Sequence, residues 1–409
     1  MGRAHCSKWI LVVLVLWLAQ LAWAANTTTI LYGFTGGNDG GDPASALVFD
    51  SAGNAYGTTV TGGTFGYGTV FELSPNGSGW TETVLYSFAG SPDGKNPYGG
   101  VTLDASGNLY GTTVAGGNST CSGDGCGVVF KLTNSGGHWR ESILYNFQGG
   151  KDGAGSGGAV VFDSAGNLYG TTPDGGARSM GVVYELIPGA NGQWTEKILH
   201  SFTGGNDGGV GSLGALLIDS AGNLYGVAEV GGANGSGTVY RLSPGANGTW
   251  KGTTLYAFKG KPDAGSPYGG LILDQAGNLY GTTYYGGANG GGAVYELHKA
   301  GGVWKEKVIY SFQNGSDVNS STTTLVFDAA GNLYGTASAG GGQSCDCGGI
   351  FKLTRQGNSW SESVVHAFAG DPDGAFPYYG LFLDQAGNLY GTTVQGGTSN
   401  QGAIFQFTP

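Results

Sequence analysis

Charge is what this chain has least of. Asp, Glu, Lys and Arg make up 11% of its 409 residues, with 17 basic against 28 acidic and a formal net charge of −11. The basic residues form no cluster, so the surface offers no footprint for a phosphate backbone and nucleic acid is excluded as a partner. Histidine is scarce too, at five. Beyond the first residues it occurs only at His138, His200, His298 and His366, none close in sequence to another or to a cysteine. That argues against a His-based hydrolase or lyase and against a His-ligated metal centre. Long apolar runs are missing except for Trp9 to Leu18. That run follows Arg3 and Lys8 and precedes Ala22-Trp23-Ala24, the layout of an export signal ending at residue 24. It is short for a membrane span. The remainder, 25–409, is expected to be one acidic domain with no membrane span, secreted, periplasmic or on the cell surface.

What the chain has in abundance is glycine, 85 residues of it, without a three-residue period, so collagen is excluded. Apolar runs such as ALVF and GLIL recur beside Tyr, Phe and Trp, which excludes disorder. The glycines fall within a repeat. The sequence DQAGNLYGTT at Asp274 returns with small changes at Asp50, Asp104, Asp163, Asp219, Asp328 and Asp384, at intervals of 54 to 59 residues. A period of this size means one supersecondary unit used repeatedly.

Four strand signals follow one another within a unit. GGLILD is an apolar run and QAGN a reversing turn; NLYGTT, AVYEL and WKEKVIYSF complete an antiparallel meander. The near-continuous apolarity of GGLIL suggests an inner strand covered on both faces, and the alternation in VYEL and VIYSF outer strands half exposed. Such units stack radially into an all-β, seven-bladed β-propeller of four-stranded blades. The ends of the chain support a closed ring. Six repeats carry a Trp before their fourth strand (Trp80, Trp139, Trp194, Trp250, Trp304, Trp360), but the seventh stops after its third, at Phe405 to Pro409. The missing strand stands at the other end, where Thr29-Ile-Leu-Tyr-Gly-Phe34 matches Thr83-Val-Leu-Tyr-Ser-Phe88. The N-terminal strand is expected to close the last blade.

The lead G-x-D-G-x-x-P-x-G-G, the core D-x-x-G-N-L-Y-G-T-T, a G-G loop and the strand G-x-V-F-x-L recur in fixed order over residues 28 to 409. This set resembles the tandem repeat named for Gloeobacter and Verrucomicrobia. More loosely, D-x-x-G-N-L-Y is similar to the strand-turn-strand of NHL-type and lyase-type propellers. The resemblance implies an exported bacterial propeller and lends no activity.

Candidate chemistry is sparse. Eleven or twelve residues before each core Asp stands another: Asp39, Asp93, Asp152, Asp207, Asp263, Asp317 and Asp373. These seven should ring one rim, shared with the loops between second and third strands. They read either as a site for Ca²⁺ or a polar ligand or as Asx-type turns ahead of Gly and Pro. The core Asp and Asn residues, as in Asp274 and Asn278, read as turn chemistry on the opposite rim. Gly281 and its equivalents should be places where an aromatic of a neighbouring blade lies on the backbone, and the Trp residues packing positions or platforms for sugars. Cys121 and Cys126, in blade 2, and Cys345 and Cys347, in blade 6, are too far apart across a ring to cross-pair, so two local disulfides are expected. The repeat breaks at Asp174 in blade 3 and Glu229 in blade 4, with Arg178 nearby; two carboxyls on one rim could serve sugar chemistry. The reading preferred is a monomeric binding or interaction scaffold for a carbohydrate or protein, with no firm cofactor and no firm metal. The alternatives are an extracellular carbohydrate-active lyase or hydrolase and a purely structural envelope protein.

Overall fold

The computed structural model describes residues 26–409 other than 119, 120, 122, 212, 213, 314, 316 and 358. The proposed signal segment, 1–24, lies outside the described residues. Seven antiparallel meanders surround one axis. Blade 5 shows the pattern: Ile272–Leu273, Leu279–Gly286, Ala293–Ala300 and Val303–Ser311 hydrogen-bond in that order. Among the described residues the only helical pieces are two short turns, Ala190–Gly192 and Ala246–Gly248.

Ring closure follows the permutation read from the chain ends. Thr27–Gly33 pairs antiparallel with Ala403–Thr408, Thr27 facing Thr408 and Thr29 facing Gln406, and so supplies the fourth strand of blade 7. At roughly 1 kcal/mol net per backbone hydrogen bond, this pairing contributes several kcal/mol before packing is counted.

The strand buried along its whole core is the second, not the first. Leu279 to Thr283 are all buried, whereas along GGLIL burial ends at Leu271, Ile272 is half-buried and Leu273 is 38% exposed. The first strand presents one edge to the axis and pairs over only two or three residues per blade. In blades 1 and 5 the segment before it, Gly41–Pro43 or Ala264–Pro267, pairs separately with the far end of the second strand. The innermost layer is therefore interrupted, and its break opens toward the axis.

Blades are joined by a ladder of rings. The Phe ending each fourth strand meets an aromatic on the third strand of the next blade, from Phe34–Phe71 and Phe88–Phe130 round to Phe368–Phe405, with centroids 4.9–5.2 Å apart at all seven seams. Tilted and edge-on pairs of this kind add about 0.5–1.5 kcal/mol each beyond area burial. The ring that covers each strand glycine comes from the same blade rather than a neighbouring one. Gly57 and Phe71 are direct cross-strand partners, and a Cβ on Gly57 would stand 2.6 Å from the Phe71 Cζ. The ring folds across the one residue opposite it that has no side chain. The Trp residues pack at the seams, Trp80 edge-on to Tyr390 and Trp139 to Tyr56.

Candidate functional site

The core aspartates form turns in all seven repeats. Asp50 accepts hydrogen bonds from the Ala52 and Asn54 amides and the Asn54 side chain, each at 2.9 Å, and from the Tyr56 hydroxyl at 3.0 Å. Burial by itself would raise its carboxyl, but the donors from Asn54, Tyr56 and Ala52 together hold it below the usual range. Asp104, Asp163, Asp219 and Asp384 are lowered by the same set of donors.

The seven rim aspartates are also engaged by their own surroundings. Each accepts the backbone N–H four residues before it, from Thr35 for Asp39 round to Ala369 for Asp373, at 2.5–3.0 Å. Each also bonds the ring seven residues before it, on the fourth strand. Tyr32, Tyr86, Tyr145, Tyr256 and Tyr310 donate through their hydroxyls at 2.6–3.1 Å. His200 and His366 approach Asp207 and Asp373 through Nε2 at 3.2 and 3.1 Å. These contacts close the loop between blades, as an Asx-type turn does. Among the described residues no group of three or more His, Cys, Asp or Glu is placed to hold a metal ion.

A third group at these seams is invisible in the sequence motif. Glu82, on the fourth strand of blade 1, faces Asp39; Glu141 faces Asp93, Glu196 Asp152, Glu306 Asp263 and Glu362 Asp317. Burial first, and the neighbouring aspartate second, push these glutamates up to about 7 at positions 82, 141 and 362 and to about 8 at 196 and 306. In every one the Oε1 atom is buried with no hydrogen-bond partner. The arrangement varies as a unit. At the two seams where His replaces Tyr, the matching fourth-strand residue is Gly252 or Thr28 instead of Glu. Beside His200 the missing side chain leaves a cavity of about 180 Å³ lined by Asp207, Tyr240 and Gly252.

A concave feature lined by several blades lies on the axis at the same rim. It is a cavity of about 600 Å³ whose lining includes Tyr98, Tyr268, Tyr284, Tyr285, Tyr378 and Tyr379, the carboxyls of Asp42 and Glu229, and small residues such as Ala44, Gly99 and Gly214. Two repeat positions supply eight of its twenty lining residues. One is the residue after Pro in the lead, which is Tyr98, Tyr268 and Tyr378 in blades 2, 5 and 7 but Ala44 in blade 1. The other directly follows YGTT or its equivalent: Val60, Glu229, Tyr284 and Val394. Tyr285 and Tyr378 stand at the mouth, 58% and 40% exposed. Burial and then Tyr98, Tyr268 and Tyr378 raise the Tyr379 phenol, while burial followed by Glu229 and Tyr98 raises that of Tyr268. The phenols of blades 2, 5 and 7 thus gather near one carboxyl. Burial also raises Glu229.

The candidate trio from the sequence does not share this cavity. Glu229 lines the cavity, whereas Asp174 stands one residue further along its repeat. Asp174 and Arg178 are exposed, and neither lines the cavity. The second carboxyl there is Asp42, which takes a hydrogen bond from the Thr61 hydroxyl at 3.2 Å. Sequence reasoning missed Asp42 and the tyrosines, although the switch between Tyr and small residues at one repeat position was a readable signal. The two expected disulfides are present, Cys121–Cys126 and Cys345–Cys347, with Cα atoms 5.0 and 5.2 Å apart. Among the described residues no helix is long and apolar enough to cross a membrane.

The family profile of the Gloeobacter/Verrucomicrobia repeat matches residues 18–216, 119–345 and 212–409, which together span every blade. The chain belongs to this repeat family. No curated protein sequence matches this Gloeobacter/Verrucomicrobia repeat protein. Among solved structures it is similar to a Bacteroides uniformis protein provisionally called a 6-phosphogluconolactonase. That similarity has 14% identity and a TM-score of 0.55 and covers 87% of this chain and 98% of the other, a likeness of fold alone. A Thermus thermophilus protein provisionally called an oxidoreductase (glucose dehydrogenase) aligns at 15% identity and a TM-score of 0.42, over 94% of this chain and 100% of that one. A Dyadobacter fermentans protein of unknown function aligns at 10% identity and 0.45, over 94% and 98%.

Proposed function

We propose that this repeat protein is a glycan-binding module that works outside the cytoplasm and seats its ligand in the axial cavity. The observation that carries the reading is the cavity itself. Its volume falls within the roughly 300–1,000 Å³ range of ligand sites, and it combines tyrosine rings with two carboxyls at the open rim of a rigid scaffold. Rings stack on the apolar faces of sugars, while phenols and carboxylates exchange hydrogen bonds with hydroxyls. The local disulfides fit an oxidising location.

Calorimetric titration with a panel of bacterial and plant oligosaccharides tests this reading. Saturable binding should weaken at least tenfold in Tyr98→Ala and Tyr268→Ala with melting preserved, whereas Asp93→Asn at the rim seam should lower Tm and leave affinity alone. Absence of binding to every sugar, or binding indifferent to the two tyrosines, would end it. A hydrolase or lyase reading draws on Glu229, whose burial-raised carboxyl suits a proton donor, with Asp42 in the place first given to Asp174. It requires turnover that Glu229→Gln abolishes while the fold survives.

A further inference from the structure

Among the described residues, the lining of the axial cavity holds the carboxyls of Asp42 and Glu229 with tyrosines and small residues and no Lys, Arg or His. Glu229 is set in a largely apolar bowl, and the ionisable group it acts on there is the phenol of Tyr268, not a base. Ionising a carboxyl in such a place costs free energy unless a positive group arrives with it. Six tyrosines surround the same space, and phenol rings attract cations as well as stacking on sugars. The chain as a whole carries a net charge of −11, so acidic glycans would approach against its field.

We propose that the axial cavity takes a glycan whose sugars carry free, protonated amino groups, in preference to neutral, acetylated or acidic glycans. This deepens the preceding reading and rests on it. The amine seats between a carboxyl and the tyrosine rings, and the sugar hydroxyls meet the gathered phenols of Tyr98, Tyr268 and Tyr379. A lysine side chain could offer the same charge. It would, however, fill little of a cavity of about 600 Å³.

The experiment titrates the folded chain with glucosamine oligomers, with their N-acetylated counterparts of equal length, and with neutral cello-oligomers. The three share a backbone and differ in the group at C2, of which only the free amine is charged. The expected result is a preference of at least tenfold for the free amine, about 1.4 kcal/mol, which shrinks as salt is added. Glu229→Gln and Asp42→Asn should each reduce that preference while leaving weak binding of the acetylated oligomer and an unchanged melting temperature. Equal affinity for amine and acetylated forms would overturn the ligand class and leave the cavity reading standing. Binding of oligolysine without binding of the amino sugar would also overturn it. Failure of all three sugars to bind would overturn the ligand class and leave the cavity reading to the wider panel of oligosaccharides.

Discussion

Gly57 lies directly across from the Phe71 ring, and the same pairing recurs as Gly281 with Tyr295, whose hydroxyl would stand 2.5 Å from an added Cβ. A side chain at either position must push a fully buried ring out of its seam. Gly57→Val should therefore destabilise by about 2 kcal/mol or more, the scale of overpacking a filled core, measured as a fall in the denaturant midpoint with an unchanged slope. Gly53→Ala, where a Cβ would meet nothing within 4 Å, should cost less, through its positive φ of 87° alone. At this scale the sequence was readable where partners are close along the chain. Asp274 and Asn278 announce their turn because every donor lies within six residues. Glu82 and Asp39 announce nothing, because the ring brings them together from different blades. Tyr98 and Glu229 likewise acquire a shared meaning only once the axis exists.

The interblade seams behave as units, each built from one loop and two fourth strands. Where a carboxyl pair is present, Glu82, Glu141, Glu196, Glu306 and Glu362 are raised to about 7 or 8 from an ordinary value of 4.5. The folded chain therefore holds protons that the unfolded chain has already released. Their contribution is fully present below about pH 4.5 and is lost as pH climbs through 7 to 8. Asp50, Asp104, Asp163, Asp219 and Asp384 are lowered instead and lose their contribution in stronger acid. Thermal stability should peak in mild acid and fall by several degrees between pH 6 and pH 9, followed by calorimetry. Replacing all five glutamates with Gln should flatten that fall, and Glu82→Gln alone should remove part of it; a slope unchanged in both would refute the account. The groups facing these glutamates are the five seam aspartates, the tyrosines at 32, 86, 145, 184, 256, 295 and 310, and Lys259 beside Glu306. Arg140, Lys197, Lys305 and Lys307 flank them along the strands and belong by alternation to the other face.

Over the whole molecule, stability depends on a ring in which each blade buries its face only against two others. Residues 26–34 hold that ring shut, and their removal exposes the third-strand edge Ala403–Thr408 together with Phe71, which then lacks Phe34. The truncated chain should melt well below the intact one and aggregate through the bared edge. A synthetic peptide of the missing strand, added in excess, should restore part of the loss. An unchanged melting curve would mean that closure contributes nothing. This was the most legible level of all, because seven imperfect copies and one displaced strand admit few arrangements. The depth of burial of the second strand was less so, since LYGTT looks less apolar than GLIL and is covered only because sheets lie on both its sides.

The pairing of Thr27 with Thr408 makes the propeller a circle with a removable cut. The first strand to leave the ribosome must wait for the last, so the ring cannot finish folding while any blade is still unmade. The position of the cut, in turn, is a matter of gene order rather than of energy. Joining the present ends with a few glycines and opening the chain at another turn between third and fourth strands, such as Gly136–Gly137, would leave every seam and the axial cavity in place. The order in which the blades are made would change, and the finished molecule would not.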